Sequence, residues 1–116
     1  AWKMARKLSL SIYKMTGKGD FSRDFGLRDQ IRRASISVMS NIAEGFESQT
    51  HALFLTYLGR SKASAGEVRS QLYLAFDLGY LGENDFTSIL SDVKRISGIL
   101  YKLILYLRSL PNIDRY

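Results

Sequence analysis

Residues 30–46, QIRRASISVMSNIAEGF, decide the fold of this chain, because a helix of this sequence has apolar residues on two sides. At about 100° per residue, one side collects Leu27, Ile31, Ala34, Val38, Ile42 and Gly45. The opposite side collects Phe25, Ile36, Met39 and Ala43. A helix in a monomeric bundle needs a single apolar face. We therefore expect the first side to face a core and the second side to be an oligomer interface.

A polar stripe lies between these two sides, and the third helical segment carries a similar one. Gly59 and Gly66 stand within that third segment, where each glycine costs about 1 kcal/mol relative to alanine. They indicate that a neighbouring backbone comes close, so we expect the second and third helices to pack tightly. The hydrogen-bonded polar seam expected between them consists of Gln30, Arg33, Ser37, Asn41, Glu44, Ser64 and Glu67.

Glycine, proline and turn clusters divide the chain into four helical segments, and no strand-like alternation competes with them. The expected helices span residues 2–16, 23–47, 51–78 and 85–109. Four helices of similar length with short links predict an all-α fold, an antiparallel up-down-up-down four-helix bundle. A single domain over residues 1–116 accommodates it.

Residues that favour helix ends mark the boundaries of these segments. Ser22 is the expected N-cap of the second helix, and the hydroxyls of residues 48–50 supply one for the third. Asn84 or Asp85 is expected to cap the fourth helix. Gly79 stands where a C-terminal glycine belongs, just after the third helix.

Length and composition exclude several classes of protein. A chain of 116 residues is long enough for one hydrophobic core without disulfide or metal staples. The absence of cysteine excludes disulfides, zinc–thiolate sites and thiol catalysis, and is compatible with a reducing compartment. No apolar run reaches the roughly 18 residues of a membrane span, and the N-terminal stretch is too amphipathic for a secretory signal. We expect a cytoplasmic protein without membrane contact.

The net charge of +6 comes from the first third of the chain. Up to Arg33 there are nine basic and three acidic residues, and the remainder has eight of each. Such an excess favours an acidic partner, most often nucleic acid, RNA or DNA, although solubility of a surface helix explains it equally well. The candidate nucleic-acid-binding residues are Lys3, Arg6, Lys7, Lys14, Arg23, Arg28 and Arg32. Trp2 and Tyr13 are placed either to stack on bases or, more commonly, to pack in the core.

Catalysis is not expected, because neither a nucleophile with a base nor a metal cluster is visible in the sequence. His51 is the only histidine, and no acidic partner stands at a catalytic spacing from it. The Glu-x-x-His pairs of di-metal bundles are absent. Glu44 and Glu67 are better placed for a structural network than for acid–base chemistry. We therefore assign no catalytic residue, no metal ligand and no cofactor.

The second helix resembles the QIRRAxxSxxxNIAEG segment of the four-helix bundle proteins, also known as 23S rRNA intervening-sequence proteins. The matching residues are Gln30, Ile31, Arg32, Arg33, Ala34, Ser37, Asn41, Ile42, Ala43, Glu44 and Gly45. A second block, similar to GSxxExxxQLxxAxxLGYL, is met by Ser64, Glu67, Gln71, Leu72, Ala75, Leu78, Gly79, Tyr80 and Leu81, with Ala63 in place of the glycine. Trp2 and Tyr13 also resemble the family, whereas Ser22 replaces the proline of the Phe-Pro pair found in many members.

The resemblance implies an antiparallel four-helix bundle that assembles into a homopentameric ring. Some members are encoded inside insertions that interrupt 23S rRNA genes. The family is also similar in architecture to the accessory proteins of diversity-generating retroelements, basic pentameric barrels that bind nucleic acid and a reverse transcriptase. The expected function is non-enzymatic binding of nucleic acid, RNA in the first place. The alternative is a scaffold ring that binds a partner protein, such as a reverse transcriptase, and no nucleic acid.

Overall fold

Four α-helices joined by short links make up the part of the chain that the computed structural model describes, residues 1–111, and no strand occurs there. The helices are α1 (Trp2–Thr16), α2 (Phe25–Glu47), α3 (His51–Asp77) and α4 (Glu83–Arg108). The predicted all-α class with four helices is confirmed. Residues 112–116, the end of the predicted domain, lie outside the described residues.

The start of α2 differs from the prediction. A 3-10 helix over Gly19–Arg23 comes first, so α2 begins at Phe25. Its N-cap is Asp24, whose Oδ1 accepts the backbone N–H of Leu27 at 3.1 Å. The prediction that Ser22 caps α2 is wrong, because its hydroxyl donates instead to the first carbonyl of the 3-10 helix at 2.6 Å.

Both ends of α3 follow the predicted capping. Thr50 Oγ1 accepts the backbone N–H of Leu53 at 3.1 Å. Gly79 has a φ of +78°, and its N–H donates to the carbonyl of Phe76 at 3.0 Å. This is the left-handed glycine that closes a helix C-terminus.

The start of α4 is set by Gly82, which stands at the N-cap without a side-chain hydrogen bond. The prediction that Asn84 or Asp85 caps α4 is therefore wrong. Glu83 and Asp85 instead lie in the first turn, where a negative charge is favoured by the helix dipole.

All four helices contribute to one apolar core. α1 packs against α2 and α4, and α3 packs against the same two helices. The fully buried side chains include Leu8 and Ile12 of α1, Ile31, Val38 and Ile42 of α2, Leu58, Val68 and Leu72 of α3, and Val93, Ile96 and Leu100 of α4. The predicted inner side of α2 is thus the buried one, apart from Leu27 at its start, which is half-buried.

α2 and α3 are in close contact at Gly45. A Cβ on Gly45 would lie 3.2 Å from Cδ1 of Phe54 and 3.3 Å from Cβ of Tyr57. A Cβ on Gly59 or Gly66 would meet no atom within 4 Å. The prediction that Gly59 and Gly66 mark the close contact is wrong, because both lie on an exposed side of α3.

One end of the bundle is closed by a contact between the α1–α2 link and the α3–α4 link. Phe21 of the 3-10 helix is fully buried, and its ring centroid lies 5.0 Å from that of Tyr80. The Tyr80 hydroxyl donates to Oδ2 of Asp24 at 2.8 Å. This hydrogen bond, more than desolvation, raises the pKa of Tyr80 above its usual value. Asp24 thus caps α2 and also ties the two links together.

The Tyr80–Asp24 contact predicts a loss of stability in alkaline solution. Because the folded-state pKa of Tyr80 is raised above 10.0, the folded protein holds the hydroxyl proton more tightly than the unfolded chain does. The stabilisation is complete below the unfolded pKa and is lost as pH rises through the higher folded pKa. Urea unfolding at increasing pH should therefore show a smaller decline in stability for Tyr80→Phe than for the wild type. Tyr106→Phe, at an exposed tyrosine, is the matched control, and equal declines in all three proteins would contradict the assignment.

The glycine geometry predicts opposite responses to two alanine substitutions. Gly59→Ala should raise the free energy of unfolding by about 1 kcal/mol, because alanine is the better helix former and the site is open. Gly45→Ala gains the same propensity but presses a methyl group against Cβ of Tyr57, which moves only with its backbone. Its free energy of unfolding should lie at least about 1 kcal/mol below that of Gly59→Ala in denaturant titrations. Equal stabilisation by both changes would mean that α2 and α3 have room at Gly45.

Candidate functional site

The middle of the polar seam is hydrogen-bonded. Ser37 Oγ and Ser64 Oγ lie 2.8 Å apart across α2 and α3. Asn41 Nδ2 donates to the carbonyl and to the hydroxyl of Ser37, at 2.9 Å each. Next to them, the fully buried Ser61 donates to the carbonyl of Val38 at 2.7 Å. Ser61 was not predicted as part of the seam; its only signal in the sequence is a small polar residue on the apolar face of α3.

The charged residues predicted for the seam do not join this network. Gln30, Arg33, Glu44 and Glu67 are all exposed. Within residues 1–111 the only ion pairs are those of Arg23 with Asp20 and of Arg28 with Asp29. The structure therefore brings together the hydroxyl and amide groups of the seam and leaves its charges in solvent.

Two of the arginines predicted to bind nucleic acid are engaged by neighbouring carboxylates. Arg23 pairs with Asp20 at 2.9 Å, with both side chains exposed. Arg28 Nε donates to Asp29 Oδ1 at 2.9 Å, and its guanidinium carbon lies 4.7 Å from the ring centroid of Phe25. The Arg28 Nη1 also donates to the carbonyl of residue 22 at 3.1 Å. Arg28 is thereby held against the fold, whereas the exposed pair of Arg23 constrains that side chain little.

Arg32 joins α1 to α2. Its Nε donates to Oγ1 of Thr16 at 2.7 Å, and its guanidinium carbon lies 4.5 Å from the ring centroid of Tyr13. Thr16 is fully buried and donates in turn to the carbonyl of Ile12 at 2.7 Å. This arginine is half-buried, and its Nη2 also donates to the carbonyl of Tyr13 at 3.5 Å.

The cations of α1 are more accessible. Lys3, Lys7 and Lys14 are exposed, and none of them takes part in an ion pair within the described residues. Lys14 lines a cleft between α1 and α4. The guanidinium carbon of Arg6 lies 5.9 Å from the ring centroid of Trp2. These cations are predicted nucleic-acid-binding residues that take part in no ion pair within the described residues.

The two aromatic residues of α1 are not core residues. Trp2 is 39% and Tyr13 is 42% exposed. Each ring lies under an arginine, Arg6 and Arg32 respectively. Stacking on a nucleic-acid base would compete with these contacts between cation and ring.

A groove between α1 and α2 contains half of the predicted oligomer interface. It is lined by Arg6, Ser9, Leu10, Tyr13, Ile36 and Met39. Leu10 is 55% exposed, and Ser9 Oγ is buried without a hydrogen-bond partner among the described residues. Of the other predicted interface residues, Phe25 is exposed and Ala43 is half-buried. The contribution of α1 was not predicted, because only α2 has two complete apolar faces in the sequence.

Within residues 1–111, no group of three or more His, Cys, Asp or Glu side chains is arranged to hold a metal ion. His51 is half-buried at the first position of α3. None of the helices there is both long and apolar enough to span a membrane.

Comparison with known proteins identifies the family. A crystal structure of a protein of unknown function, from the S23 ribosomal protein family of Bacteroides thetaiotaomicron VPI-5482, has a similar fold, with a TM-score of 0.82 over 89% of this chain and 96% of that chain. The two sequences are 24% identical, so the likeness concerns the fold alone. No protein with a curated function matches the chain. The sequence profile of the 23S rRNA-intervening sequence proteins matches residues 1–102, most of the chain, which therefore belongs to the 23S rRNA-intervening sequence protein family.

Proposed function

We propose that this protein is a non-enzymatic, oligomeric nucleic-acid-binding protein of the cytoplasm, with RNA as its ligand. The observation that carries the proposal is the set of exposed lysines on α1, which have no ion-pair partner within the described residues. Unpaired surface cations neutralise phosphates and release counterions, whatever the base sequence. Membership of a family named for sequences that intervene in 23S rRNA supports RNA over other polyanions.

The proposed assembly begins with an antiparallel up-down-up-down bundle. The contacts between α2 and α3 support two helices that run in opposite directions. Ser61 of α3 donates to the carbonyl of Val38 of α2. Phe54, which comes earlier in α3, lies beside Gly45, which comes later in α2. The contacts between α3 and α4 support an antiparallel pair in the same way. The end of α3 contacts the start of α4, where the ring centroids of Phe76 and Phe86 lie 4.3 Å apart. Lys62, earlier in α3, lies over Tyr101, later in α4. These contacts support a chain that reverses direction at the α2–α3 and α3–α4 links.

We further propose that five such bundles form a homopentameric ring through the α1–α2 groove. The pentamer is implied by the family resemblance. The exposed Leu10 and Ile36, with the half-buried Met39 beside them, supply an apolar surface whose burial favours association. A ring repeats each cluster of lysines, so that weak contacts of single copies combine into useful avidity.

A protein-binding scaffold ring is the second candidate function. It is favoured by apolar side chains that remain exposed outside the α1–α2 groove, among them Leu74, Leu78 and Tyr106. A partner protein would cover these side chains, and the basic excess would attract an acidic surface.

The nucleic-acid proposal predicts a strong salt dependence of RNA binding. If Lys3, Lys7 and Lys14 of one copy neutralise three phosphates, affinity for a structured RNA should fall at least about 40-fold between about 50 mM and 200 mM salt. Changing the three lysines to Glu should abolish this binding in fluorescence anisotropy or a mobility-shift assay.

The matched control reverses three charges elsewhere, at Arg60, Arg69 and Arg108, all of which are exposed. It should weaken binding much less than the lysine variant does. A wild type that fails to shift RNA at low salt and micromolar protein would remove the nucleic-acid hypothesis and leave the scaffold.

The assembly proposal predicts that charge in the groove separates the copies. An Ile36→Glu, Met39→Glu double variant should sediment as a monomer, because two carboxylates would be buried without partners in the interface. A Thr56→Glu, Ser70→Glu double variant adds the same charge at exposed sites outside the groove and should remain oligomeric. The proposal fails if the wild type itself is monomeric at micromolar concentration.

A further inference from the structure

We infer that the phosphate-binding surface extends onto α4, where Arg95 and Lys102 join Lys3, Lys7 and Lys14 in one cationic strip. These five residues form the α1–α4 strip, on the side of the bundle made by α1 and α4. The inference rests on the proposed function and names the surface that contacts the nucleic-acid backbone.

Helical spacing places the two α4 cations on one line. Ser88, Arg95 and Lys102 are seven residues apart, which is close to two turns at about 3.6 residues per turn. Ser88 lines the cleft between α1 and α4 together with Ser11 and Lys14. Arg95 and Lys102 therefore continue, along α4, the line that borders α1.

The cations of α1 follow the same spacing in the opposite direction. Lys7 precedes Lys14 by seven residues, and Lys3 precedes Lys7 by four. In the proposed antiparallel arrangement, the step from Ser88 to Arg95 matches the step from Lys14 to Lys7, each about 10 Å along a helix. Lys7 is then level with Arg95. Packed helix axes lie about 8–10 Å apart, so the two rows of cations form one continuous surface.

The cations of this strip are available to a ligand. All five are exposed, and none takes part in an ion pair within residues 1–111. The carboxylates near the strip are Asp85, which lines the α1–α4 cleft, and Asp92, which is half-buried on α4. The five cations of the strip outnumber these two carboxylates, and Lys18, which lines the same cleft, adds a further positive charge.

The sides of the bundle that include α2 are less suited to a polyanion. Arg28 and Arg32 of α2 are bound to protein groups. The groove between α2 and α3, on the opposite side from the strip, ends in a cleft lined by Glu44 and Glu47. A phosphate backbone on that side would meet like charge, whereas the α1–α4 side attracts it.

The test is an Arg95→Gln, Lys102→Gln double variant, measured by fluorescence anisotropy with a structured RNA hairpin over a range of salt. Loss of two phosphate contacts per copy should reduce the slope of log affinity against log salt by about 1.4 to 1.8. At about 200 mM salt or below, affinity should fall roughly tenfold or more. Both side chains are exposed, so thermal unfolding and sedimentation should be unchanged.

The matched control is an Arg60→Gln, Arg69→Gln double variant, which removes the same charge from α3. It should retain most of the affinity and the wild-type slope. An α4 variant that binds like the wild type, or two variants that are weakened equally, would overturn the strip while the proposed function stands. A wild type that binds no RNA would overturn the proposed function, and the strip with it.

Discussion

The close contact between α2 and α3 is the constraint on which the rest of the structure depends. A side chain at Gly45 would press against Phe54 and Tyr57. Nearer the middle of α2, the buried hydroxyl of Ser61 in α3 donates to the backbone carbonyl of Val38 in α2 at 2.7 Å. A buried hydroxyl without such a partner would destabilise the fold, so the two helices cannot slide or rotate without losing it. The hydrogen-bonded middle of the polar seam thus sets the register of this pair, and α1 and α4 pack onto the apolar faces that the pair presents.

Side-chain chemistry separates Arg28 and Arg32 of α2 from the lysines of α1. Arginine presents several donors in a planar fork and stacks on aromatic rings, and Arg28 and Arg32 use these properties to hold α2 against neighbouring groups. Lysine is a flexible, strongly hydrated point charge, and Lys3, Lys7 and Lys14 extend from α1 into solvent. A charge in the sequence is therefore available to a ligand only where the fold has not already used it.

The apolar groove and the α1–α4 strip occupy different sides of α1. The groove faces α2, and the strip faces α4. In the proposed ring, one surface would join neighbouring copies while the other stays open to a nucleic acid. Such a division lets assembly and binding act together, because each added copy contributes another set of cations to the same ligand.

The sequence by itself determined the four helices, the inner side of α2 and the capping of α3, because these depend on spacing along one chain and on local hydrogen bonds. It placed Ser37, Asn41 and Ser64 correctly in one polar network. It did not determine the cap of α2, where Ser22 and Asp24 are both suitable and only the turn geometry chooses between them.

Only the tertiary structure decided that Gly59 and Gly66 lie outside the α2–α3 contact and that Arg28 and Arg32 are engaged by the protein. It also decided which side of the bundle Arg95 and Lys102 share with the lysines of α1. The physical reason is that such relations depend on how helices that are distant in sequence are rotated against each other. The charged and small residues of a single helix do not specify that rotation.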